Sequence, residues 1–227
     1  MGELMGTIFA NEVIVISNVI NEILINYYNR KDCHLIYNGV PEPKICDFPE
    51  YFHELGIEKR KYVLGMCRFV PEKNLHHLIE AFSKIDAKGC KLVLAGDTDF
   101  EDDYSLKLKQ IAKEKGVILT GFIKGKKLHS LLSNTRCFIL PSSHEGLPIA
   151  LLEAMSYQIP DIVSVIPANL EVCLTKEAYF QCGNINELSE KIQFNIDNTY
   201  HQVKYNMRKY NWDLIASKVE DVYKRLK

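Results

Sequence analysis

Several features that mark other classes of protein are missing from this sequence of 227 residues. No apolar run approaches the roughly 20 residues that a membrane-spanning helix needs, and no basic segment followed by an apolar stretch marks a secretion signal. The formal net charge of -1 provides no strong field that would attract nucleic acid. We therefore expect a cytoplasmic protein without a nucleic-acid partner, at most peripheral at the inner membrane.

Metal and redox motifs are also missing. The sequence has seven cysteines, but no two of them are spaced as C-x-x-C, which argues against a zinc or redox site. Several lie in apolar runs, as Cys137 does before Phe138 and Ile139, which is typical of buried, reduced cysteines in a cytosolic protein.

Short apolar runs alternate with amphipathic stretches along the chain. The runs are nearly continuous in apolar character, which is typical of strands buried on both faces of a parallel sheet. Their alternation with helices predicts an α/β fold with a doubly wound parallel sheet. The predicted strands are Val13–Ile16, His34–Tyr37, Tyr62–Gly65, Lys91–Ala95, Val117–Ile123, Cys137–Leu140, Asp161–Val165 and Ala178–Gln181.

Four stretches carry helix signals. Asn74 is a candidate N-cap for a helix over Leu75–Ile85, and Gly116 would end a helix over Asp102–Lys115. The other two helices are predicted over Leu147–Gln158 and Asn211–Leu226.

Prolines and mixed polar residues between Val40 and Lys61 predict a linker over 41–60. Before it, residues 1–40 hold one strand-helix-strand piece, which is too small to fold alone. After it, residues 61–200 hold about six strand-helix units, enough for a complete domain. Residues 201–227 contain the final helix.

The strongest candidate site is the turn Pro141–Pro148, between a predicted strand and the helix after it. Ligands of open α/β sheets bind at the carboxyl ends of the strands. Pro148 would stand in the first turn of the helix, with the amides of Gly146 and Leu147 free at its positive end. This arrangement favours a bound anion.

Two carboxylates accompany this turn. Glu153 interrupts an apolar helix, where it either reaches water at the helix edge or accepts hydrogen bonds from ligand hydroxyls. Glu145 has the same two interpretations, but its place in a loop at the binding edge of the sheet favours function.

A second strand-loop-helix junction, Gly65–Leu75, carries two cations. Arg68 and Lys73 flank its loop near the next helix N-terminus, and fixed positive charge beside a helix dipole is typical of a diphosphate site. Surface loops also carry solvated Arg and Lys routinely, so this pair alone is a weak signal.

Taken together, these residues resemble the large family of retaining glycosyltransferases with the GT-B architecture. The Rossmann-like C-terminal domain of that family carries a glutamate-x7-glutamate motif, matched here by Glu145 and Glu153. It also carries an arginine and a lysine after its first strand, matched by Arg68 and Lys73. The other matches are Ile36–Val40, Leu94–Asp97, Leu119–Ile123 and Ser164–Val172.

The resemblance implies a role for each matched residue. Arg68 and Lys73 would neutralise the diphosphate of a UDP- or GDP-sugar as it leaves, and Glu145 would hold the transferred sugar. Because these cations and a helix end carry the charge, the resemblance implies no metal ion and no cofactor besides the donor. Further donor contacts are implied for Glu153 with the ribose, for Phe122 and Ile123 with the nucleobase, and for Gly146, Leu147 and Pro148 with sugar or phosphate.

The chain departs from the family pattern in two ways. A glycine usually follows the helix with the second glutamate, and Gln158 stands there, at a cost of about 1 kcal/mol if the backbone is left-handed. Family members also have a full N-terminal acceptor domain, and residues 1–40 match only a remnant of it. The final helix, with Trp212 and Tyr223, usually crosses onto that domain, so we expect its apolar face to lack a partner.

The resemblance therefore implies the donor half of a retaining glycosyltransferase for polysaccharide or glycolipid synthesis. Its partners would be a saccharide or lipid-linked acceptor and a separate N-terminal domain or a second copy. The alternative is a non-catalytic nucleotide-sugar-binding module or a subunit of a split enzyme. Asp97 and Asp99 also resemble the metal-binding pair of GT-A transferases, but acidic turn residues are common after strands. A dehydrogenase is disfavoured, since no G-x-G-x-x-G follows a predicted strand.

Overall fold

The computed structural model describes residues 2–226, in which strands and helices alternate as the sequence predicts. The helices are α1 (Gly2–Phe9), α2 (Asn18–Tyr28), α3 (Pro49–Leu55), α4 (Leu75–Ser83), α5 (Asp103–Glu114), α6 (Lys126–Asn134), α7 (Ile149–Ser156), α8 (Pro167–Leu170), α9 (Ile185–Asp197) and α10 (Trp212–Lys224). The strands are β1 (Val13–Val15), β2 (Cys33–Leu35), β3 (Tyr62–Met66), β4 (Lys91–Ala95), β5 (Ile118–Leu119), β6 (Phe138–Leu140), β7 (Asp161–Ser164) and β8 (Tyr179–Phe180). None of the helices within residues 2–226 combines the length and the apolar character that a membrane span requires.

Strands β3 to β8 form one six-stranded parallel sheet in the order β5-β4-β3-β6-β7-β8, which confirms the predicted doubly wound fold. The chain runs outward from β3 to β5, returns to β6 beside β3, and then runs outward in the other direction. Ligands of such sheets bind outside the carboxyl ends of the strands where the order reverses. The loops after β3 and β6 lie at this point.

Helices cover both faces of this sheet, which explains why its strands do not alternate in polarity. On one face, Leu64 shares a buried cluster with Leu131 of α6 and Leu151 of α7. On the other face, Val63 shares a second cluster with Leu78 of α4. All five side chains are 0% exposed, so the two neighbours in β3 anchor opposite layers of the domain.

The range 41–60 is not the plain linker that its prolines suggest. Pro49 begins helix α3, and Tyr51 and Phe52 of this helix are only 2% and 5% exposed within the main core. Ile57 joins the same cluster. The linker prediction is corrected because scattered apolar residues give this segment a buried side, which composition does not reveal.

Three local predictions are also corrected. The strand predicted over Val117–Ile123 is observed only over two residues, as β5 (Ile118–Leu119). Asn74 precedes α4 but does not cap it with its side chain, because its backbone is left-handed (φ 49°) and its Nδ2 donates instead to the Pro141 carbonyl at 3.2 Å. Asparagine is one of the few residues that adopt this conformation readily. Pro148 stands just before α7, outside its first turn.

Strands β1 and β2 pair in parallel and, with α2 between them, form the predicted strand-helix-strand piece. Helix α10 packs on this piece, where Ile215 shares a buried cluster with Ile36. Trp212 lies over Gly39, and a Cβ at Gly39 would stand 2.6 Å from Trp212 Cδ2, so a glycine is required. The expectation that α10 lacks a partner is therefore wrong for Ile215, while Trp212 and Tyr223 remain 50% and 65% exposed.

Candidate functional site

The loops after β3 and β6 are joined directly at the switch point of the sheet. The Ser143 amide donates to the Glu72 carbonyl at 2.8 Å, and the Ser143 hydroxyl donates to the same oxygen at 3.2 Å. The bond from Asn74 to Pro141 adds a third link between the two loops. Side chains from both loops therefore share one edge of the sheet.

Lys73 and Glu145 meet across these loops. Lys73 Nζ lies 2.7 Å from Glu145 Oε1, and the two side chains are only 14% and 10% exposed. The Ser142 hydroxyl donates to the same Glu145 oxygen, also at 2.7 Å. Two residues that the sequence places 72 positions apart thus form one largely buried ion pair at the ligand edge.

Arg68 lies in a small cavity beside this pair. Its side chain is 60% exposed, and its guanidinium stands 3.5 Å from the carboxylate of Asp99, whose side chain is equally exposed. The cavity has a volume of about 170 Å³. It is lined by Met66, Cys67, Arg68, Ala95, Gly96, Phe122 and Ile123. The structure therefore brings Arg68 together with Phe122 and Ile123, the two residues predicted to face the nucleobase.

Cys67 connects the cavity with the ion pair. Burial raises the pKa of its thiol to about 12, while the charge of Lys73 lowers it and that of Glu145 raises it, so both charges lie close by. Gly96 at the end of β4 closes the cavity from the other side. A Cβ on Gly96 would stand 2.0 Å from the Cys67 carbonyl oxygen, and its φ is +124°, so glycine is required there.

Glu153 on α7 stands apart from these contacts. Burial raises the pKa of its carboxyl, and no other described residue forms an ion pair or a side-chain hydrogen bond with it. A half-buried carboxylate without a partner is unfavourable in isolation. This is the environment in which a ligand hydroxyl would bind well, and the predicted ribose contact stays a prediction.

The turn before α7 presents unused amides. Within residues 2–226, no group accepts a hydrogen bond from the amides of Gly146 or Leu147. The Leu147 side chain is 7% exposed and packs into the core, which fixes the turn. A Cβ on Gly146 would lie 3.5 Å from Ile20 Cδ1, so the N-terminal piece faces this turn. Its predicted contact with sugar or phosphate stays a prediction.

The acidic pair after β4 is occupied by cations. Asp97 binds Lys109 at 2.9 Å, and Asp99 faces Arg68. In the described part of the chain, no group of three or more His, Cys, Asp or Glu residues is arranged to hold a metal ion. The two carboxylates therefore have other partners, which weakens the GT-A interpretation.

Sequence reasoning missed the hydrogen-bonding role of Ser142 and its support from Ser164 and Asn169. The Ser164 hydroxyl donates to the Ser142 carbonyl, and Asn169 Nδ2 donates to the Ser164 carbonyl at 2.9 Å. All three residues are 0% exposed. The position of Ser142 directly after a predicted strand was the available signal, but no spacing rule joins residues from two strand ends.

Comparisons with known proteins agree on one family. The family described as Glycosyl transferases group 1 matches residues 47–212. An uncharacterized glycosyltransferase of Methanocaldococcus jannaschii is 25% identical over 98% of this chain, which spans 62% of that relative. The amylovoran biosynthesis glycosyltransferase AmsD of Erwinia amylovora is 23% identical over 94% of this chain, again 62% of the relative.

The fold comparison agrees. The crystal structure of Anabaena Alr3699/HepE in complex with UDP and glucose matches with a TM-score of 0.85 and 21% identity. The match covers 97% of this chain and 65% of that protein. The chain therefore spans somewhat less than two thirds of the length of each of these three proteins.

Proposed function

The chain belongs to the family Glycosyl transferases group 1, and on that premise we propose that it is the donor-binding half of a retaining glycosyltransferase. It would bind a UDP- or GDP-sugar and contribute to transfer of the sugar, with retention of configuration, to a saccharide or lipid-linked acceptor. AmsD is by its name an enzyme of amylovoran biosynthesis, and the HepE structure holds UDP and glucose. The name of AmsD supports a role in polysaccharide synthesis, and the ligands in the HepE structure support a nucleotide-sugar donor.

The observation that carries this proposal is the Lys73–Glu145 ion pair at the switch point. A largely buried ion pair contributes little to stability, because the loss of solvation offsets most of its attraction. A ligand with a diphosphate and sugar hydroxyls would use both members, the cation for phosphate and the carboxylate for a hydroxyl. Function therefore explains the pair better than stability does.

Lys73 and Arg68 would act on the leaving group. Negative charge builds up on the diphosphate as the bond to the sugar breaks, and fixed cations stabilise that charge. The Gly146 and Leu147 amides would add hydrogen bonds from the turn before α7. With these groups in place, the proposed reaction needs no metal ion and no cofactor besides the donor.

The rest of the donor would extend along the same edge. Phe122 and Ile123 line the cavity beside Arg68, which suits a flat nucleobase next to the first phosphate. Glu153 would accept hydrogen bonds from the ribose hydroxyls, and these would stabilise its half-buried carboxylate. Pro148, just before α7, would contact the sugar or phosphate from the same turn.

Acceptor binding would need a further domain or chain, because the relatives are longer than this chain. The apolar side chains of α1 support such a partner, since Ile8 and Phe9 are 55% and 70% exposed. A separate N-terminal domain or a second copy would cover them.

Calorimetric titration with UDP, GDP and a panel of their sugars tests the proposal. We expect one nucleotide series to bind, with the same affinity in magnesium and in EDTA. No binding by any nucleotide would contradict the proposal, and binding abolished by EDTA would restore the metal-dependent GT-A interpretation.

The alternative, a non-catalytic module, is not favoured, because the family relatives are named as transferases. An activity measurement distinguishes this module from the enzyme. An N-terminal domain would be supplied, and NMR would give the anomeric configuration of the product. Sugar transfer with retention of that configuration would support the enzyme. Donor binding with no transfer to any acceptor would support the module.

A further inference from the structure

We propose that Ser142 is a positioning residue for Glu145, holding one oxygen of the carboxylate so that the other stays available to a sugar hydroxyl. The inference rests on the proposed function, which supplies the sugar. No matched motif assigns a role to Ser142.

The two oxygens of Glu145 have different surroundings. Oε1 accepts from Lys73 Nζ and from the Ser142 hydroxyl, both at 2.7 Å. No described residue donates to Oε2. Since a carboxylate only accepts, the single proton of the Ser142 hydroxyl must point at Oε1. One oxygen is therefore committed to the protein and the other is available to a ligand.

Ser142 is itself held from behind. The Ser164 hydroxyl at the end of β7 donates to the Ser142 carbonyl. Asn169 on α8 donates from Nδ2 to the Ser164 carbonyl at 2.9 Å and to its hydroxyl oxygen at 3.2 Å. Because all three residues are fully buried, water does not compete for these bonds. The loop position of Ser142 is thus fixed by a neighbouring strand and helix.

Lys73 and Ser142 differ in what a donor does to them. Lys73 has a flexible side chain and a net charge, so a diphosphate attracts its ammonium group. Any turn of Lys73 towards phosphate weakens its bond with Glu145. Ser142 has no charge and is fully buried, so we expect it to keep its bond. Ser142 should therefore govern recognition of the sugar and leave recognition of the phosphates unchanged.

The first experiment compares UDP with UDP-glucose and GDP with GDP-mannose by calorimetry. In Ser142→Ala we expect about a tenfold loss of affinity for the nucleotide sugar that binds the wild type, because a hydrogen bond to a charged group is lost. The nucleoside diphosphate should bind within about twofold of the wild type, since its phosphates contact other residues. Equal losses for both ligands, or no loss for the sugar, would overturn the inference.

Ser83→Ala is the matched control, because Ser83 is an exposed serine of α4 whose hydroxyl donates only to the Glu80 carbonyl of the same helix. It should change neither affinity. A double-mutant cycle adds a second check. In a Glu145→Ala background, Ser142→Ala should have no further effect on nucleotide-sugar affinity; a further loss of the same size would mean that Ser142 acts elsewhere.

A ligand-free experiment keeps this inference separate from the proposed function. A crystal structure of Lys73→Met should show Glu145 Oε1 still bonded to Ser142, whereas Lys73→Met/Ser142→Ala should show Glu145 displaced. A Glu145 that leaves Ser142 in the single variant would overturn the inference even if nucleotides bind. If no nucleotide binds the wild type, the donor-site proposal fails, and this structure still decides what holds Glu145. The Lys73→Met structure also tests the inference when the Ser142→Ala variant does not fold.

Discussion

The carboxylate of Glu171 binds Asn18, the first residue of helix α2, through three hydrogen bonds. The Asn18 backbone amide donates to Oε1 at 2.8 Å and Oε2 at 3.0 Å, and its side-chain amide donates to Oε1 at 2.9 Å. Glu171 follows α8 in the main domain, while α2 belongs to the N-terminal piece. A carboxylate at a helix N-terminus satisfies free amides and is favoured by the helix dipole. This contact therefore ties the two parts together.

Glu171→Gln should loosen α2. The amide replaces an acceptor oxygen by a donor and removes the charge, so we expect α2 to lose about 1 kcal/mol of local stability. Hydrogen exchange of the α2 amides measures this directly. Glu190→Gln is the control, because Glu190 is an exposed glutamate of α9 that forms no bond with α2. It should leave hydrogen exchange of the α2 amides unchanged. Unaltered exchange in Glu171→Gln would show that other contacts hold the helix.

Lys73→Met should separate phosphate binding from nucleoside binding. It removes the charge proposed to face the diphosphate, so UDP or GDP should bind about 10- to 100-fold more weakly, while uridine or guanosine should be unaffected. Calorimetry with each pair gives the result. Lys127→Met, whose lysine lies 3.4 Å from Glu54 on the surface, is the matched control. Equal losses for nucleotide and nucleoside would mean that Lys73 does not contact phosphate.

Asp161 at the start of β7 should make stability depend on pH. It is 4% exposed, and burial raises the pKa of its carboxyl well above the usual value, with the Tyr205 hydroxyl offsetting part of the rise. Neither oxygen has a hydrogen-bond partner of ordinary geometry within residues 2–226. The folded protein therefore holds this proton above the pH at which the unfolded chain releases it.

A folded-state pKa above the unfolded value means that stability is fully present below the unfolded pKa and is lost as pH rises towards the folded one. Relative to Asp161→Asn, the wild type should lose up to about 1.4 kcal/mol per pH unit above pH 4. Denaturant unfolding of both proteins from pH 4 to 8 measures the difference. Parallel curves would show that Asp161 titrates alike in the folded and unfolded states.

Gln158 combines a strained backbone with useful bonds. Its φ is 57°, as the missing glycine suggested, while its side chain accepts from the Tyr205 amide at 2.9 Å and donates to the Met155 carbonyl at 3.0 Å. Gln158→Ala loses both bonds and keeps the strain, whereas Gln158→Gly loses the bonds and the strain. The glycine variant should be about 1 kcal/mol more stable than the alanine variant in denaturant unfolding. Equal stability would show that the backbone there is relaxed.

Much of the fold follows from the sequence because its strands are buried on both faces. The predicted strand over Lys91–Ala95 has the observed bounds, and its five residues are apolar after the first. The linker prediction for range 41–60 was wrong because Tyr51 and Phe52 bury their rings against a surface that only the assembled sheet provides. The prediction of Asn74 as an N-cap was wrong for its side chain, because that side chain donates to the Pro141 carbonyl of a distant loop and does not accept from the helix.

The candidate site was predictable in position and less so in arrangement. The resemblance assigned Lys73 and Glu145 to the diphosphate and the sugar of one donor, and the two residues are in contact because strand order makes the carboxyl ends of β3 and β6 neighbours. Which oxygen of Glu145 is committed depends on rotamers and on Ser142, and these do not follow from spacing. The pairing of Arg68 with Asp99 is also invisible in sequence, because both are ordinary loop residues.

The contact of Trp212 with Gly39 has a mechanical consequence. The backbone passes between the N-terminal piece and the main domain twice, and the two passages are joined where the Val40 amide donates to the Tyr210 carbonyl at 2.9 Å. Since α10 is packed on Ile36, it belongs structurally to the N-terminal piece. A rotation of the N-terminal piece relative to the main domain would therefore turn about these two joined passages, and it would change the distance between the turn at Gly146 and Ile20.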